Sequence, residues 1–433
     1  MDTSAQTGAQ GTAHQQYRAQ NIETLVNYYK SGFTDVRGRV GIELEHFVVH
    51  KDTKLPVRYS EPQGTVWLLN QLAEYYPKKV YEGDHLIGLS RSHGDITEGV
   101  SLEPAAQVEL SAGPFTTLAD TERSFNEFES HLTSAADEIG AEIARVAYQP
   151  KAIAKDTELI PKKRYDFMNK YLGGLSPWGP RMMRGTTSTQ VSIDYSDTAD
   201  CLRKLRLADA LVPILSLICD NSPIFEGKRR PHKLMRTENW EKLDPGRSGI
   251  TPGVMDPNYT LERMAEHVLD TVAITVPDGH GNVCYDDRTF GEVYADRLMT
   301  KEEAVHAVSM LFNDVRLKTY IEIRLADAMP IPYVLAYAAL IKGELYEDRP
   351  LDALDTLFDG VTEDDIVEAK HVLERDGYQA TVYGQDVSKL ADRLIEIAYD
   401  GLSEDERYYL DPLAKLVEKR TTLADIWEQE HAQ

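Results

Sequence analysis

Glu43 and Glu45, at alternate positions of the run GIELEHFVV, are the first residues in this chain whose spacing could do chemistry. The alternation reads as a β-strand, with Ile42, Leu44, His46 and Val48 on one face and Glu43, Glu45, Phe47 and Val49 on the other. Like charges on neighbouring positions repel, and no basic residue stands between them, so the pair calls for a cation from elsewhere. Three further strands have the same build. AQVELSA puts Gln107, Glu109 and Ser111 on one face, with Glu103 just ahead of it in SLEP. STQVSIDYS puts Gln190, Ser192 and Asp194 together, and TYIEIRLAD puts Glu322 beside Arg324. A solvent-facing sheet also carries a polar face. Such faces mix Thr, Lys and Arg, however, and these hold acids and amides almost to the exclusion of Lys. On neighbouring strands they make an oxygen-rich concavity suited to Mg2+ or Mn2+. Mg2+ completes its shell with water and phosphate oxygens, so the set implies a nucleotide as well as a metal.

Something must then hold the phosphates. No GxxxxGK[ST] or GxGxxG loop occurs, which argues against a P-loop or dinucleotide-binding site. The basic candidates are Arg236 and Arg247 in KLMRTENWEKLDPGRSGITPG, and Lys162, Lys163 and Arg164 in IPKKRYDFMNKY. Arginine's planar fork suits phosphate and carboxylate alike. Taken alone, such a cluster is more often a solvated surface.

The elements that must position these groups follow from periodicity. Helices are expected over NIETLVNYYKSGF, TVWLLNQLAEYY, TLADTERSFNEFESHLTSAADEIGAEIARVA and ADCLRKLRLADALVPILSLICDN, and helical patterns dominate after Pro330. Strands cluster in the first three quarters, interrupted by long helices, an order that favours an antiparallel α+β sheet over βαβ units. The chain has 433 residues and a net charge of −24, which argues against nucleic-acid or anionic-membrane partners. Its three cysteines, Cys201, Cys219 and Cys284, form no CxxC or zinc pattern. The N-terminus has neither a basic start nor an apolar run, and no stretch of eighteen apolar residues occurs, so a cytoplasmic protein is expected. Residues 1–18, rich in Gln, Ala, Thr and Gly, are expected to be a disordered tail.

At this point the residues match a family. GIELEHF, SLEPAAQVELS, IPKKRYDFMNKYL, TSTQVSIDYS, NSPIF, MRTENWEKLDPGRSGITP and RLKTYIEIRLADAMP occur in that order over roughly residues 36 to 345. They resemble the plant and proteobacterial type of glutamate–cysteine ligase, which includes actinobacterial enzymes of ergothioneine synthesis. The resemblance implies the glutamine synthetase/guanido kinase type of fold, a curved, mainly antiparallel sheet funnel with flanking helices. It implies an ATP-dependent catalytic domain over 19–345, with a helical part, 346–433, packed on the same domain. It also implies that ATP phosphorylates the γ-carboxylate of glutamate and that the amine of cysteine displaces the phosphate. Carried over by motif, Glu43, Glu45, Glu103, Glu109 and Glu322 would be the Mg2+ ligands, with Gln190 beside them. Arg247 and Arg324 would be the catalytic arginines, and Arg236, Lys163 and Arg164 would bind substrate or ATP. One departure stands out: Ala105 and Ala106 follow SLEP, where the family often has two glycines.

Two other readings compete. A ligase joining glutamate to a different amine would keep the same metal and phosphate groups, and only its acceptor pocket would differ. A catalytically silent scaffold would have lost a metal glutamate or Arg247, and neither is lost. His46 lies on an apolar face and reads as a core residue, whereas His93, in SRSHGD, falls in a Gly-containing loop.

Overall fold

The computed structural model describes residues 4–94 and 96–431, with side chains from residue 15 onward. Nine strands form the main sheet: β1 (Val40–His50), β2 (Lys78–Glu82), β3 (His85–His93), β4 (Ile96–Leu102), β5 (Val108–Phe115), β6 (Ala141–Ala144), β7 (Ser188–Ile193), β8 (Val315–Leu317) and β9 (Ile321–Asp327). Their order is β8-β9-β7-β1-β5-β4-β3-β2, with β6 paired to the far end of β1. Every neighbouring pair is antiparallel. The fold is α+β, as the element order implied. Bulges interrupt β1 between Val40 and Ile42 and β9 between Ile323 and Ala326. Such insertions bend the strands that carry them.

The helices that matter below are α1 (Ser4–Lys30), α2 (Thr65–Leu72), α3 (Leu118–Glu138), α4 (Lys163–Leu175), α5 (Trp178–Gly185), α6 (Thr198–Ile218), α7 (Met235–Glu241), α8 (Ile331–Leu345), α9 (Glu363–Asp376) and α10 (Val387–Gly401). One sheet face is mainly apolar: Ile42, Leu44, Val108, Leu110, Val191, Ile193, Ile321 and Ile323 are all buried. Burying each such side chain is worth roughly 1.5–3 kcal/mol. α3 covers β5 and β6, α8 covers β1 and β7, and α6 covers β9. With that face committed to the helices, the period of two forces the acids onto the opposite face. Thr117 and Asp197 cap α3 and α6 by accepting hydrogen bonds from the first-turn N–H groups.

Two expectations are corrected. The long helix expected to run to Ala147 stops at Glu138, because Gly140 turns the chain with φ +69°, and Ala141–Ala144 becomes β6. The expected tail is helical from Ser4 onward, in keeping with the good helix propensity of its Ala and Gln residues; residues 1–3 of that segment lie outside the described part. One hydrophobic cluster runs from Leu25 to Val417, so the helices after residue 346 share their core with the sheet. Close packing of α8 on α10 shows why: a Cβ on Gly343 would come within 2.3 Å of the Ala398 carbonyl oxygen. Among the described residues no helix is long and apolar enough to cross a membrane.

Candidate active site

Strand register brings the acids together. Glu45 stands directly opposite Glu109 across β1 and β5, Glu43 opposite Gln190 across β1 and β7, and Glu322 opposite Ser192 across β9 and β7. Glu103 follows β4 and closes the row. Glu43, Glu45, Glu103, Glu109 and Gln190 all line one cavity of about 290 Å³, which Lys162, Arg164, Arg236, Arg316 and Arg324 also line.

The acids crowd one another out of the ordinary carboxylate range. Glu45 is pushed up to about 8 by burial first, then by Glu103 and Glu109. Burial and Glu109 push Glu43 up to about 7, and burial and Glu103 do the same for Glu109. Glu103 is raised by burial against the pull of Lys162. Their hydrogen bonds come from neutral donors. Ser188 gives Glu45 its N–H at 2.9 Å and its hydroxyl at 2.8 Å, while Ser101 and Ser111 give Glu109 hydroxyls at 2.8 and 3.0 Å. Tyr165 donates to Glu103 at 3.3 Å.

Glu322 behaves differently. It is fully buried and does not line the cavity. Arg316 Nε, Lys318 Nζ and Arg324 Nη1 reach its carboxylate at 2.7, 2.6 and 2.9 Å. Burial alone would raise its pKa, but the three cations hold it well below the usual carboxylate range. Among the five expected metal ligands it is therefore the exception: a carboxylate spent on three cations aims Arg316 and Arg324 at the cavity. Arg324 Nη1 also donates to Gln190 Oε1 at 2.5 Å, and Gln190 Nε2 lies 3.4 Å from Glu45 Oε1. That amide thus links an arginine to an acid of the cavity. Trp240 sits between Arg236 and Arg324, whose guanidinium carbons each lie 5.6 Å from its ring centroid. Arg236 donates Nη1 to the Leu325 carbonyl at 2.8 Å, while its buried Nε has no partner among the described residues.

Two sequence assignments move. Arg247 does not line the cavity: it is buried, with Nε on Asp244 at 2.8 Å and Nη1 and Nη2 on the Met310 and Val272 carbonyls at 3.0 and 2.6 Å. Its donors pin three separate segments together. Lys163 is exposed, while the preceding Lys162 faces the cavity with its ammonium 4.5 Å from the Tyr165 ring. Lys162 is the residue before α4 and Lys163 its first, so one step of the chain turns the side chain outward. Arg164 faces the cavity as expected, with Nη2 on the Ser309 carbonyl at 3.0 Å.

The sequence reading missed Arg316, Lys318 and Trp240, and it named Lys162 among the basic candidates but gave the binding role to Lys163. A signal for Arg316 was present, since the short loop between VRL and YIE places it directly opposite Glu322. His46 is a core residue as expected, its Nδ1 donating to the Val108 carbonyl at 3.0 Å. His93 ends β3, in register with Ile96 of β4, so it belongs to a hairpin rather than a free loop. Ala106 has φ +64°, the left-handed region that glycine enters without cost, so here the departure from the family pattern falls on a backbone need.

Comparison with known proteins follows this geometry. The pattern of the glutamate–cysteine ligase family 2 (GCS2) matches residues 39–430. The chloroplastic glutamate–cysteine ligases of Medicago truncatula and Arabidopsis thaliana are 31% and 30% identical, over 93% of this chain and 80% and 78% of theirs. Among solved structures, the Francisella tularensis glutamate–cysteine ligase in complex with AMP superposes with a TM-score of 0.54 at 11% identity, over 92% of this chain and 85% of that one. At that identity the likeness speaks to the fold alone. The family match extends nearly to the C-terminus, well past the last motif that the sequence resemblance reached. The chain belongs to glutamate–cysteine ligase family 2, and is an enzyme of the carboxylate–amine ligase class.

Proposed function

We propose that the protein uses ATP and Mg2+ to join the γ-carboxylate of glutamate to the amine of L-cysteine, through γ-glutamyl phosphate, giving γ-glutamylcysteine, ADP and phosphate. The observation that carries this is one cavity lined both by four mutually repelling carboxylates and by five cationic side chains. The carboxylates fit a hard divalent cation, Mg2+ or Mn2+. They are oxygen donors, they are buried, and each is raised by its neighbours in a way a cation would relieve. Among the described residues no three acids stand ready as one metal-holding set. Mg2+ takes one or two carboxylates and fills its octahedron with water and phosphate oxygens. Glu45 and Glu109, with Glu43 and Glu103 beside them, would hold it. When bound, Mg2+ neutralises phosphate charge and helps align the phosphoryl group for transfer.

The chain's own residues do the rest. Arg316, Arg324 and Arg236 offer charge-assisted donors to the triphosphate and to the glutamate carboxylates, and Lys162 adds a point charge. Glu322 keeps two of these arginines in fixed aim, so their orientation costs nothing when substrate arrives. A γ-carboxylate oxygen attacks the terminal phosphorus, and ADP leaves with the bonding pair. The amine nitrogen then attacks the γ-carbonyl carbon and phosphate leaves with the C–O pair. The proton lost by nitrogen ends on a carboxylate of the same face. The AMP held by the Francisella ligase is in keeping with a nucleotide in this fold. Three unbridged cysteines suit a reducing compartment such as the cytoplasm.

The test is ADP release with Mg2+, ATP and glutamate across a panel of amines, with mass spectrometry of the product. Turnover confined to cysteine supports the reading. Turnover with another amine would leave the cavity argument intact and change the acceptor. No turnover with any amine, from folded protein, would overturn it.

A further inference from the structure

Lys370, on α9, is a buried ammonium that the chemistry above does not use. The helix that carries it lies beyond the last motif of the sequence resemblance and packs on α6. Its Nζ reaches carboxylates on two separate elements, Asp314 Oδ2 at 2.5 Å and Glu241 Oε1 at 3.5 Å. Burial would strip its proton, but Asp314 and Glu241 hold its pKa above the ordinary lysine value. Asp209 of α6 is buried close by, with neither carboxylate oxygen bonded among the described residues. Burial first and Asp314 second raise its pKa well above the usual carboxylate range, so it stays neutral and leaves the ammonium to the other two. Each of those two belongs to an element that carries arginines of the cavity. Glu241 ends α7, the helix of Arg236 and Trp240. Asp314 precedes β8, the strand of Arg316, and its carbonyl accepts the Arg324 N–H at 2.9 Å. α9 holds the other end of α7 as well, where the Glu374 carbonyl accepts the Lys233 N–H at 3.1 Å.

We propose that Lys370 is a positioning residue of the ligase reaction: by bridging Glu241 and Asp314 it fixes the spacing between the guanidinium of Arg236 and those of Arg316 and Arg324. The inference rests on the ligase reading above and adds to it a role for the helical part after residue 346. A buried ion pair is a poor stabiliser, because desolvation offsets most of its attraction, and apolar side chains of similar size often fold as well or better. The ammonium is therefore better explained by what it aligns. Arg236 depends on such alignment. Among the described residues it makes one hydrogen bond, to the Leu325 carbonyl at 2.8 Å, and its buried Nε has none, so its place is set by α7. Trp240 lies between it and Arg324, with both guanidinium carbons 5.6 Å from the ring centroid. A shift of the adjacent Glu241 therefore moves the spacer between two arginines. A misplacement of about 1 Å introduced far from the chemistry can cost about a hundredfold in rate. His371 also reaches Glu241, at 3.4 Å, but among the described ion pairs it does not reach Asp314. Without Lys370 nothing bridges the two carboxylates, and their repulsion works to part α7 from β8.

The test measures kcat per folded chain, with ATP, Mg2+, glutamate and cysteine, for the wild-type full chain, Lys370→Met, Arg324→Lys and the double variant. Urea titration supplies the folded fraction. Lys370→Met is expected to lose roughly 10- to 100-fold in kcat. In the Arg324→Lys background the same change should cost no more than about a third of that factor, because the fork it aims is already gone. A purely structural role gives a different pattern, a lower urea midpoint with the same kcat factor in both backgrounds. Glu241→Gln is the second variant. It removes one bridge without stranding the buried ammonium, which keeps Asp314. It should lose roughly three- to tenfold in kcat, and again less in the Arg324→Lys background. An unchanged kcat in Glu241→Gln, or equal factors in the two backgrounds, would overturn the positioning role whether or not Lys370→Met folds. A wild-type chain that releases no ADP with any amine would overturn the ligase reading itself.

Discussion

Glu45 and Glu109 face each other directly across two hydrogen-bonded strands, and among the described residues neither is ion-paired to a Lys or Arg. Like charges in that register destabilise a sheet, so the pair costs the fold something that a bound cation returns. The expected outcome is thermal stability that climbs with Mg2+ in the wild-type chain, by about 2.7 kcal/mol at a hundredfold excess over Kd. Glu109→Gln should be more stable than wild type without metal and gain less than half as much from adding it. Activity should fall by roughly a hundredfold or more, as for other lost electrostatic groups. Melting curves with and without Mg2+ check this. A variant that gains as much as wild type would remove Glu109 from the metal-binding set.

Arg324 and Arg247 were indistinguishable by sequence, and the structure separates their effects. Arg324 aims into the cavity beside Trp240, whereas Arg247 holds Asp244 and two carbonyls and does not line the cavity. Arg324→Lys loses the planar fork and should cost roughly a hundredfold in kcat, with little change in melting temperature. Arg247→Met should destabilise by about 3–5 kcal/mol, the cost of breaking a buried charged contact, while the folded fraction keeps near-normal KM values. Paired urea titrations and steady-state kinetics decide it; the reverse pattern would return Arg247 to the chemistry.

The same contrast holds for adjacent lysines. Lys162 faces the cavity and Lys163 faces solvent. Lys162→Met should raise KM for ATP roughly tenfold, about 1.4 kcal/mol of lost binding. Lys163→Met should stay within about twofold, as surface substitutions do. Equal effects would mean that α4 starts in a different phase when substrate is bound.

What could be read from sequence was what a strict period dictates. Strands of six residues or more, at Glu43, Glu109, Gln190 and Glu322, showed their two faces because one face had to be apolar. Glu322 then looked the same as its neighbours, since alternation says which face a carboxylate is on but not whether cations already occupy it. Arg316 escaped because β8 has only three residues, too few to alternate visibly, and because its role depends on pairing with Glu322. Arg236 and Arg247 lie eleven residues apart in a stretch broken by Gly and Pro, where no period tells which guanidinium turns inward. The strand at Ala141 was hidden by helical periodicity that continues past Gly140, and only the left-handed turn there ends the helix.

Glu344 supplies a prediction about pH that is independent of the active site. It lies on α8, fully buried, and neither carboxylate oxygen has a hydrogen-bond partner among the described residues. Burial alone raises its pKa well above the usual carboxylate value, so it is carried neutral in the fold. A folded pKa above the unfolded one means that folding takes up a proton. That contribution is complete below the unfolded pKa, near about 4.3, and is lost as pH rises toward the folded value, at about 1.4 kcal/mol per pH unit. Glu344→Gln keeps the shape and removes the titration. Its stability relative to wild type should therefore rise with pH above about 5.5, until the folded carboxyl itself ionises, as measured by urea midpoints at fixed ionic strength. Parallel curves for the two proteins across that range would show that Glu344 is solvated and ionises as an ordinary glutamate.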